Sequence, residues 1–296
     1  MILKTENAVL VEFDREGKML TRIITAVVAI AVLLPVLYFS DTILFCIAIS
    51  AISVISLYEI FKCIGAKKLY ITIPLYVFAL SSPFVLRYMA NNVHFAILGF
   101  ICAALYLLYL FTCAILSHGK LDFSSLGALF TVSFYIISAL TSILYIRDFG
   151  EHGKYIYLLV FLGAWVSDTF AYFTGVFFGK HKLIPDVSPK KTIEGSIGGI
   201  VFCSISFVVF GIITDTFFGT NANLIFLAIS GVIMSVISQI GDLIMSVIKR
   251  HYGIKDYGKI FPGHGGMLDR FDSILAVSLG VAMMCMFATL TEINIL

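Results

Sequence analysis

Among the aspartates in the second half of the chain that lie within or beside long apolar runs, four have residue types near them that could do chemistry. They are Asp168, Asp242, Asp269 and Asp272. An acid inside a hydrophobic span costs at least ~2.5–3.5 kcal/mol on membrane-insertion scales. Acids at such positions indicate a functional site, although for Asp168 a hydrogen bond to a neighbouring helix is the structural alternative.

Two of these acids lie on polar helix faces. At helical spacing, Asp168 shares a face with Tyr172, Gly175 and Gly179, and Asp242 shares a face with Gln239, Ser246 and Lys249. An acid beside small residues predicts that helices approach closely around a site. A structural polar stripe that packs against a neighbouring helix is the alternative.

The other two acids follow a glycine-rich segment, FPGHGGMLDRFDS, at residues 261–273. Its three glycines allow the backbone to approach a ligand closely or to take positive φ angles. The last helix is predicted to begin near Met267 or Leu268, with Asp269 and Asp272 on its first turns. Helix capping explains one such acid, but it does not explain two acids that lie three residues apart.

A basic loop at residues 179–199 connects the first two polar stretches. Ser188 and Pro189 are typical of an N-cap and a first helical position, which places Lys190 and Lys191 on a first helical turn. The helix dipole does not favour cations there, so a bound polyanion is one explanation and attraction to anionic lipid is the other. Close packing of the span that follows is predicted from Gly195, Gly198 and Gly199.

These residue types favour one kind of chemistry. Carboxylates without a histidine cluster are ligands for Mg²⁺ or a similar hard cation rather than for zinc. Carboxylates beside lysines and an arginine suit phosphoryl or nucleotidyl transfer, in which a metal neutralises developing charge and the cations hold phosphates. The sequence has neither GxxxxGK[ST] nor GxGxxG, so a nucleotide-binding fold of the soluble type is not indicated.

Membrane helices are the elements that must position these residues. The chain is 60% hydrophobic and 13% charged, whereas soluble globular domains are about 45–50% apolar and roughly 25% charged. Its apolar residues form runs of about 20, the length at which a helix crosses a bilayer core. The predicted fold class is therefore an all-α, polytopic integral membrane protein.

Nine transmembrane spans are predicted, at about residues 22–39, 42–61, 70–86, 93–116, 127–146, 155–178, 195–218, 223–248 and 272–290. The segments that connect nine spans must lie alternately on the two sides of the membrane. This arrangement places 17 of the 20 Lys and Arg residues on one side, and only Arg87, Arg147 and Lys154 on the other. The positive-inside rule then predicts a cytoplasmic N-terminus, an outside C-terminus and a site that faces the cytoplasm. The first span has no cleavage site after it and is expected to remain in the mature protein.

The ionisable residues divide the chain into two parts. Residues 1–150, with spans 1–5, are predicted to be a transmembrane scaffold, in which Glu59 lies near a cytoplasmic helix end. Residues 151–296, with spans 6–9, are predicted to be the catalytic region. Residues 1–20 are expected to be a short polar extension. The six cysteines lie in or beside apolar runs without CxxC spacing, and are predicted to be small buried hydrophobes.

The segment Ser246–Asp272, SVIKRHYGIKDYGKIFPGHGGMLDRFD, resembles the signature of the phosphatidate cytidylyltransferases, also called CDP-diacylglycerol synthases. It fills every fixed position of the pattern S-x-x-K-R-x-x-x-x-K-D-x-x-x-x-x-P-G-H-G-G-x-x-D-R-x-D. Two upstream elements of that family also resemble segments of this chain, Ser167–Tyr172 and Ser188–Gly195. The specific likeness covers about residues 155–275.

The resemblance implies that CMP is transferred from CTP to phosphatidic acid in phospholipid biosynthesis, with CDP-diacylglycerol and pyrophosphate as products. It implies an Mg²⁺ cofactor and allows a second cation. The acids that match the family's cation site are Asp242, Asp269 and Asp272; we interpret the first two as ligands and the third as their support. Asp168 is a further candidate ligand, and Lys249 completes the candidate catalytic set.

The remaining candidates are expected to bind substrate. Phosphates are expected to contact Lys190, Lys191, Lys249, Arg250 and Lys255, and the substrate-binding set is completed by Ser246, His264, Gly265, Gly266 and Arg270. The expected partners are CTP, phosphatidic acid, the lipid bilayer and a second copy of the chain in a homodimer, with no nucleic acid. The expected location is the inner (cytoplasmic) membrane of the cell.

Two other functions remain open. A membrane kinase that phosphorylates a polyprenol-type alcohol would need a base near the attacking hydroxyl, and it is not expected to carry the full glycine-rich signature. A transporter is compatible with intramembrane acids, but its site is expected near the midplane between repeats. The polar residues of this chain crowd toward one face, and no internal repeat is visible.

Overall fold

The structure, a computed structural model, describes residue 21 and residues 24–89, 92–118 and 121–296. Its helices are α1 (Ile24–Tyr38), α2 (Ile43–Ile64), α3 (Leu69–Phe84), α4 (Asn92–Leu116), α5 (Phe123–Arg147), α6 (Gly153–Ile156), α7 (Leu158–Phe178), α8 (Ile193–Phe218), α9 (Leu224–His251) and α10 (Leu268–Thr291). A π-helical turn, Val85–Met89, extends α3. The predicted polar extension at the N-terminus lies outside the described residues.

Among the described residues, eight helical segments are long and apolar enough to cross a membrane. They match the second to ninth predicted spans, and the predicted all-α polytopic class is confirmed at that level. The first predicted span corresponds to α1, which is apolar but shorter than the other eight. The predicted start of the last helix is also confirmed, because α10 begins at Leu268.

The basic loop forms a hairpin instead of the predicted helix start at Ser188. Strand β1 (Lys182–Ile184) pairs antiparallel with β2 (Ser188–Thr192). A proline at the second position of β2 is compatible with a two-stranded hairpin, because an edge strand can lack one N–H donor. The N-cap is Thr192, whose side chain accepts the N–H of Gly195 at 3.1 Å, so the N-cap of α8 lies four residues after the predicted one at Ser188.

Small residues bring α7 and α8 together, as predicted. A Cβ at Gly199 would lie 2.9 Å from the Ser167 carbonyl oxygen, and a Cβ at Gly198 would collide with the Thr174 side chain. Helix α9 packs against both α8 and α10, and α10 also packs against α5. The four C-terminal helices therefore form one packed group that also contacts the N-terminal part of the chain.

Two of the three cations that the sequence assigns to the non-cytoplasmic side lie together. Arg87 donates to both carboxylate oxygens of Asp148 at 2.8 and 2.9 Å, and Arg147 lies 3.3 Å from the same carboxylate.

All six cysteines fall in the described ranges and are free, and the buried ones are Cys46, Cys203 and Cys285.

Candidate active site

Three of the predicted acids lie on α7, α9 and α10, which pack against one another. Asp168, Asp242 and Asp272 lie close enough to interact electrostatically. The Ser273 hydroxyl donates to Asp168 Oδ2 at 2.8 Å, and the Ser246 hydroxyl contacts Asp242 Oδ1 at 3.5 Å. Helix packing thus brings together acids that are separated by up to about a hundred residues in sequence.

The hairpin brings a cation to this acid cluster. Lys191 Nζ lies 2.6 Å from Asp242 Oδ2, and each side chain is about a quarter exposed. Lys190 is exposed, since successive side chains of a strand point to opposite faces. The two lysines, predicted to act as a pair on one helical turn, therefore point in different directions.

Glu194 anchors the base of the hairpin. One of its carboxylate oxygens lies 2.6 Å from Nδ1 of His181, and the other accepts the N–H of Lys180 at 3.1 Å. These contacts join the first turn of α8 to the end of α7. Glu194 belongs to the upstream element Ser188–Gly195, but its anchoring role was not predicted.

A second cation is paired with the first acid of α10. Lys249 Nζ lies 3.0 Å from Asp269 Oδ1, and the side chains are 13% and 4% exposed. The other oxygen, Oδ2, accepts the N–H groups of Tyr257 at 2.8 Å and Gly266 at 2.9 Å. Asp269 therefore binds the loop between α9 and α10 at two points, and Oδ1 retains a lone pair that a cation can use.

The loop that Asp269 holds is a tight turn. The N–H of Phe261 donates to the Gly265 carbonyl at 2.9 Å, and Gly265 takes φ +89°, which favours glycine. Tyr257 is buried, which raises the pKa of its hydroxyl, and this hydroxyl donates to the Met245 carbonyl at 2.9 Å. His264 Nδ1 is buried and has no hydrogen-bond partner among the described residues.

The remaining predicted substrate-binding cations, Arg250, Lys255 and Arg270, are exposed. Arg250 Nε lies 3.5 Å from the Val187 carbonyl in the hairpin turn. Arg270 is exposed, and its charge reaches Asp168. All three cations are therefore accessible to a substrate from solution.

The other end of the predicted stripe on α9 has a structural role. Gln239 Nε2 donates to the Ser196 carbonyl at 3.2 Å, and its Oε1 accepts the Ser196 hydroxyl at 2.5 Å. The Ser167 and Ser235 hydroxyls lie 2.7 Å apart. These contacts connect α7, α8 and α9. Gln239 therefore fits the interpretation of the stripe as structural, whereas Asp242 and Lys249 of the same stripe belong to the candidate site.

Two residues of the N-terminal part reach the site without having been predicted to do so. Glu59 is buried, and its carboxylate accepts the N–H groups of Met267 and Leu268, both at 2.9 Å. The Tyr135 hydroxyl is buried without a hydrogen-bond partner among the described residues, and it interacts electrostatically with Asp272. The sequence shows Glu59 only as an acid near a helix end, which is a weak indication that it belongs to the site. No feature of the sequence distinguishes Tyr135 from the other tyrosines.

The donor chemistry of the acid cluster fits a hard cation such as Mg²⁺, because carboxylate oxygens are its preferred side-chain ligands. Within the described part of the chain, no three acid, histidine or cysteine side chains converge as a metal-ligand group. In the structure, Asp242 forms an ion pair with Lys191, and Asp269 forms one with Lys249.

Comparison with known proteins gives a consistent family. The family model described as "Cytidylyltransferase family" matches residues 20–288. The phosphatidate cytidylyltransferase of Staphylococcus haemolyticus is 34% identical over 264 residues, which cover 88% of this chain and 96% of that protein. The phosphatidate cytidylyltransferase of Bacillus subtilis is 37% identical over 170 residues, which cover 57% of this chain and 62% of the relative. A family model that matches most of the chain, together with relatives of this identity, shows that the chain belongs to the cytidylyltransferase family.

Proposed function

We propose that this protein transfers CMP from CTP to phosphatidic acid, giving CDP-diacylglycerol and pyrophosphate. The observation that carries the proposal is the arrangement of the signature segment. Its lysine on α9, Lys249, pairs with Asp269 on α10, and its glycine-rich turn donates a backbone N–H to the same aspartate. The similarity to phosphatidate cytidylyltransferases over 88% of the chain supports the same activity.

In this reaction an oxygen of the lipid phosphate attacks the α-phosphorus of CTP, the new P–O bond forms, and pyrophosphate leaves with the electrons of the broken bond. A phosphate monoester is already largely ionised at neutral pH, so no strong general base is required. The protein must therefore position the substrates and neutralise charge. The partly buried ammonium groups of Lys191 and Lys249, together with the exposed cations of the signature segment, suit that role.

Mg²⁺ is the proposed cofactor, with a possible place for a second cation in the same cluster. Asp242 and Asp269 are the proposed ligands, Asp272 their support and Asp168 a further ligand. Such a cation would neutralise negative charge on the phosphates. The electrostatic proximity of Asp168, Asp242 and Asp272 supports this assignment, while the contacts of Asp269 give it the additional task of holding the loop.

The proposed topology has nine spans, a cytoplasmic N-terminus and an outside C-terminus, with α1 as the first span. The site then faces the cytoplasm, where CTP is available, and the protein lies in the inner cell membrane. The charge asymmetry of the connections supports this orientation. Residues 1–150 are the proposed scaffold and residues 151–296 the proposed catalytic region, and a homodimer is the proposed assembly.

The position of the label in CTP provides a sharp test. Purified full-length protein is incubated with phosphatidic acid, Mg²⁺ and CTP labelled either at the α- or at the γ-phosphorus, with EDTA and labelled ATP as controls. With CTP and metal, the α-label is expected in the lipid and the γ-label in pyrophosphate. With EDTA, or with labelled ATP in place of CTP, no label is expected in the lipid. A γ-label in the lipid phase would instead indicate a kinase, and solute flux in proteoliposomes without lipid labelling would indicate a transporter.

A further inference from the structure

We propose that Glu59 is a positioning residue for the active site, an inference that rests on the proposed function. Glu59 lies near the C-terminal end of α2 and is only 1% exposed. Its Oε1 accepts the N–H of Met267 and its Oε2 accepts the N–H of Leu268, both at 2.9 Å. These N–H groups lie at the start of α10, where the helix itself offers no acceptor.

Two segments of the signature close over the same carboxylate. A Cβ at Gly258 or at Gly266 would collide with the side chain of Glu59. Neither of these glycines is among the residues with positive φ, so backbone conformation does not explain them. The close approach of the loop to Glu59 is the reason that a side chain is not accommodated at either position.

Glu59 and Asp269 together bind consecutive parts of the loop. Asp269 accepts the N–H of Gly266, and Glu59 accepts those of the next two residues. A helix N-terminus favours such anionic acceptors. Glu59 uses one oxygen for each of its two donors, whereas Oδ2 of Asp269 accepts the N–H groups of both Tyr257 and Gly266. The two side chains therefore satisfy four backbone donors.

The position of α10 follows from these contacts. Asp269 and Asp272 lie on its first two turns, so the place where α10 begins decides how they face Lys249 and Asp242. Glu59 therefore acts on the site through the backbone, without contacting the reacting groups. Another contact from the N-terminal part lies nearby, since the Thr25 hydroxyl is 3.2 Å from the Pro262 carbonyl.

The test compares purified full-length Glu59→Gln with the wild type. An amide has nearly the same shape but only one oxygen acceptor, so one of the two N–H groups loses its partner. We expect kcat/KM for CTP, per folded protein, to fall on the order of 10–100-fold, since a shift of about 1 Å in positioned groups can cost ~10² in rate. Hydrogen exchange is expected to become faster in peptides that cover residues 255–268.

Two control variants separate this role from general destabilisation. Asp122→Asn changes another acid that caps a helix, whose carboxylate accepts the N–H of Ser125 at 2.8 Å. Ser50→Ala removes a buried hydrogen bond from α2, the one to the Leu80 carbonyl at 3.0 Å. Both are expected to leave kcat/KM within about twofold of the wild type, because neither touches the loop.

A pair of variants tests the same contact from the loop side, and it applies even if Glu59→Gln does not fold. Gly258→Ala is expected to lower kcat/KM for CTP, because the added methyl group meets the Glu59 carboxylate. Adding Glu59→Asp, which shortens the side chain by one methylene, is expected to restore part of that loss. Absence of any restoration would contradict the contact.

The outcomes distinguish this inference from the proposed function. Wild-type protein without CTP-dependent lipid labelling would overturn the proposed function, and the exchange comparison would still decide whether Glu59 holds the loop. A Glu59→Gln enzyme with normal kcat/KM per folded protein, or with unchanged exchange at residues 255–268, would overturn the positioning role.

Discussion

Lys249 of α9 and Asp269 of α10 form a buried ion pair, with 3.0 Å between Nζ and Oδ1. The same aspartate binds the glycine-rich loop through its other oxygen. One side chain thus connects a cation of the site, the loop and the first turn of α10. Removing either partner of a buried pair leaves an uncompensated charge and costs about 3–5 kcal/mol.

Asp269→Asn is expected to abolish turnover, because it removes the charge with little change in volume. The protein is expected to remain inserted and folded, with a lower thermal midpoint because Lys249 becomes unpaired. Radiolabelled CTP turnover and thermal unfolding in detergent measure the two effects. Adding Lys249→Met should recover part of the thermal stability, since no buried charge then lacks a partner, but it should not recover activity. Near-wild-type turnover of the single variant would contradict the assigned role.

Lys191 and Lys190 are expected to differ in importance. Lys191→Met removes the ammonium that lies 2.6 Å from Asp242 and should lower kcat/KM for CTP on the order of 10–100-fold, which corresponds to ~1.4–2.8 kcal/mol. Lys190→Met changes an exposed charge on the other face of the strand, so its effect should be smaller and should fade as salt is raised. Steady-state kinetics at two ionic strengths compare them, and equal losses at high salt would contradict the strand geometry.

Asp168→Asn and Asp272→Asn are expected to raise the Mg²⁺ concentration required for half-maximal activity. Each removes a negative charge from the cluster in which the proposed cation lies, while the exposed substrate-binding cations remain. A titration of Mg²⁺ at saturating CTP and phosphatidic acid measures the shift, and removal of metal by EDTA should stop the wild-type reaction. If the Mg²⁺ dependence of both variants matched that of Asp122→Asn, the cation site would have to lie elsewhere.

Tyr135→Phe is expected to lower turnover without lowering stability. The buried hydroxyl has no partner among the described residues and lies near Asp272, so its removal breaks no internal hydrogen bond and relieves an unsatisfied group. A lower kcat at an unchanged or higher thermal midpoint would indicate that this hydroxyl serves bound substrate or cation. An unchanged kcat would show that the hydroxyl has no part in the reaction.

Much of the architecture follows from local properties of the sequence. The lengths of the apolar runs predict the eight long helical segments, because each run must satisfy its own backbone hydrogen bonds in a membrane. Helical spacing places Asp242 and Lys249 on one face of α9, and the glycine-rich segment marks the start of α10. The meeting of Asp168, Asp242 and Asp272 is consistent with their positions on these helices, and the signature segment indicates the family.

Other features depended on the tertiary structure. The hairpin turns Lys191 toward Asp242 and leaves Lys190 exposed, although Ser188 and Pro189 locally favour a helix start. The sequence alone therefore determined the class of protein, most of its spans and the acids of its candidate site. Only the tertiary structure decided the partners of Glu59, because it accepts hydrogen bonds from residues more than 200 positions away, and backbone N–H groups are present at almost every residue. Helix packing determines which backbone N–H groups a buried carboxylate reaches, and no local pattern of residues predicts them.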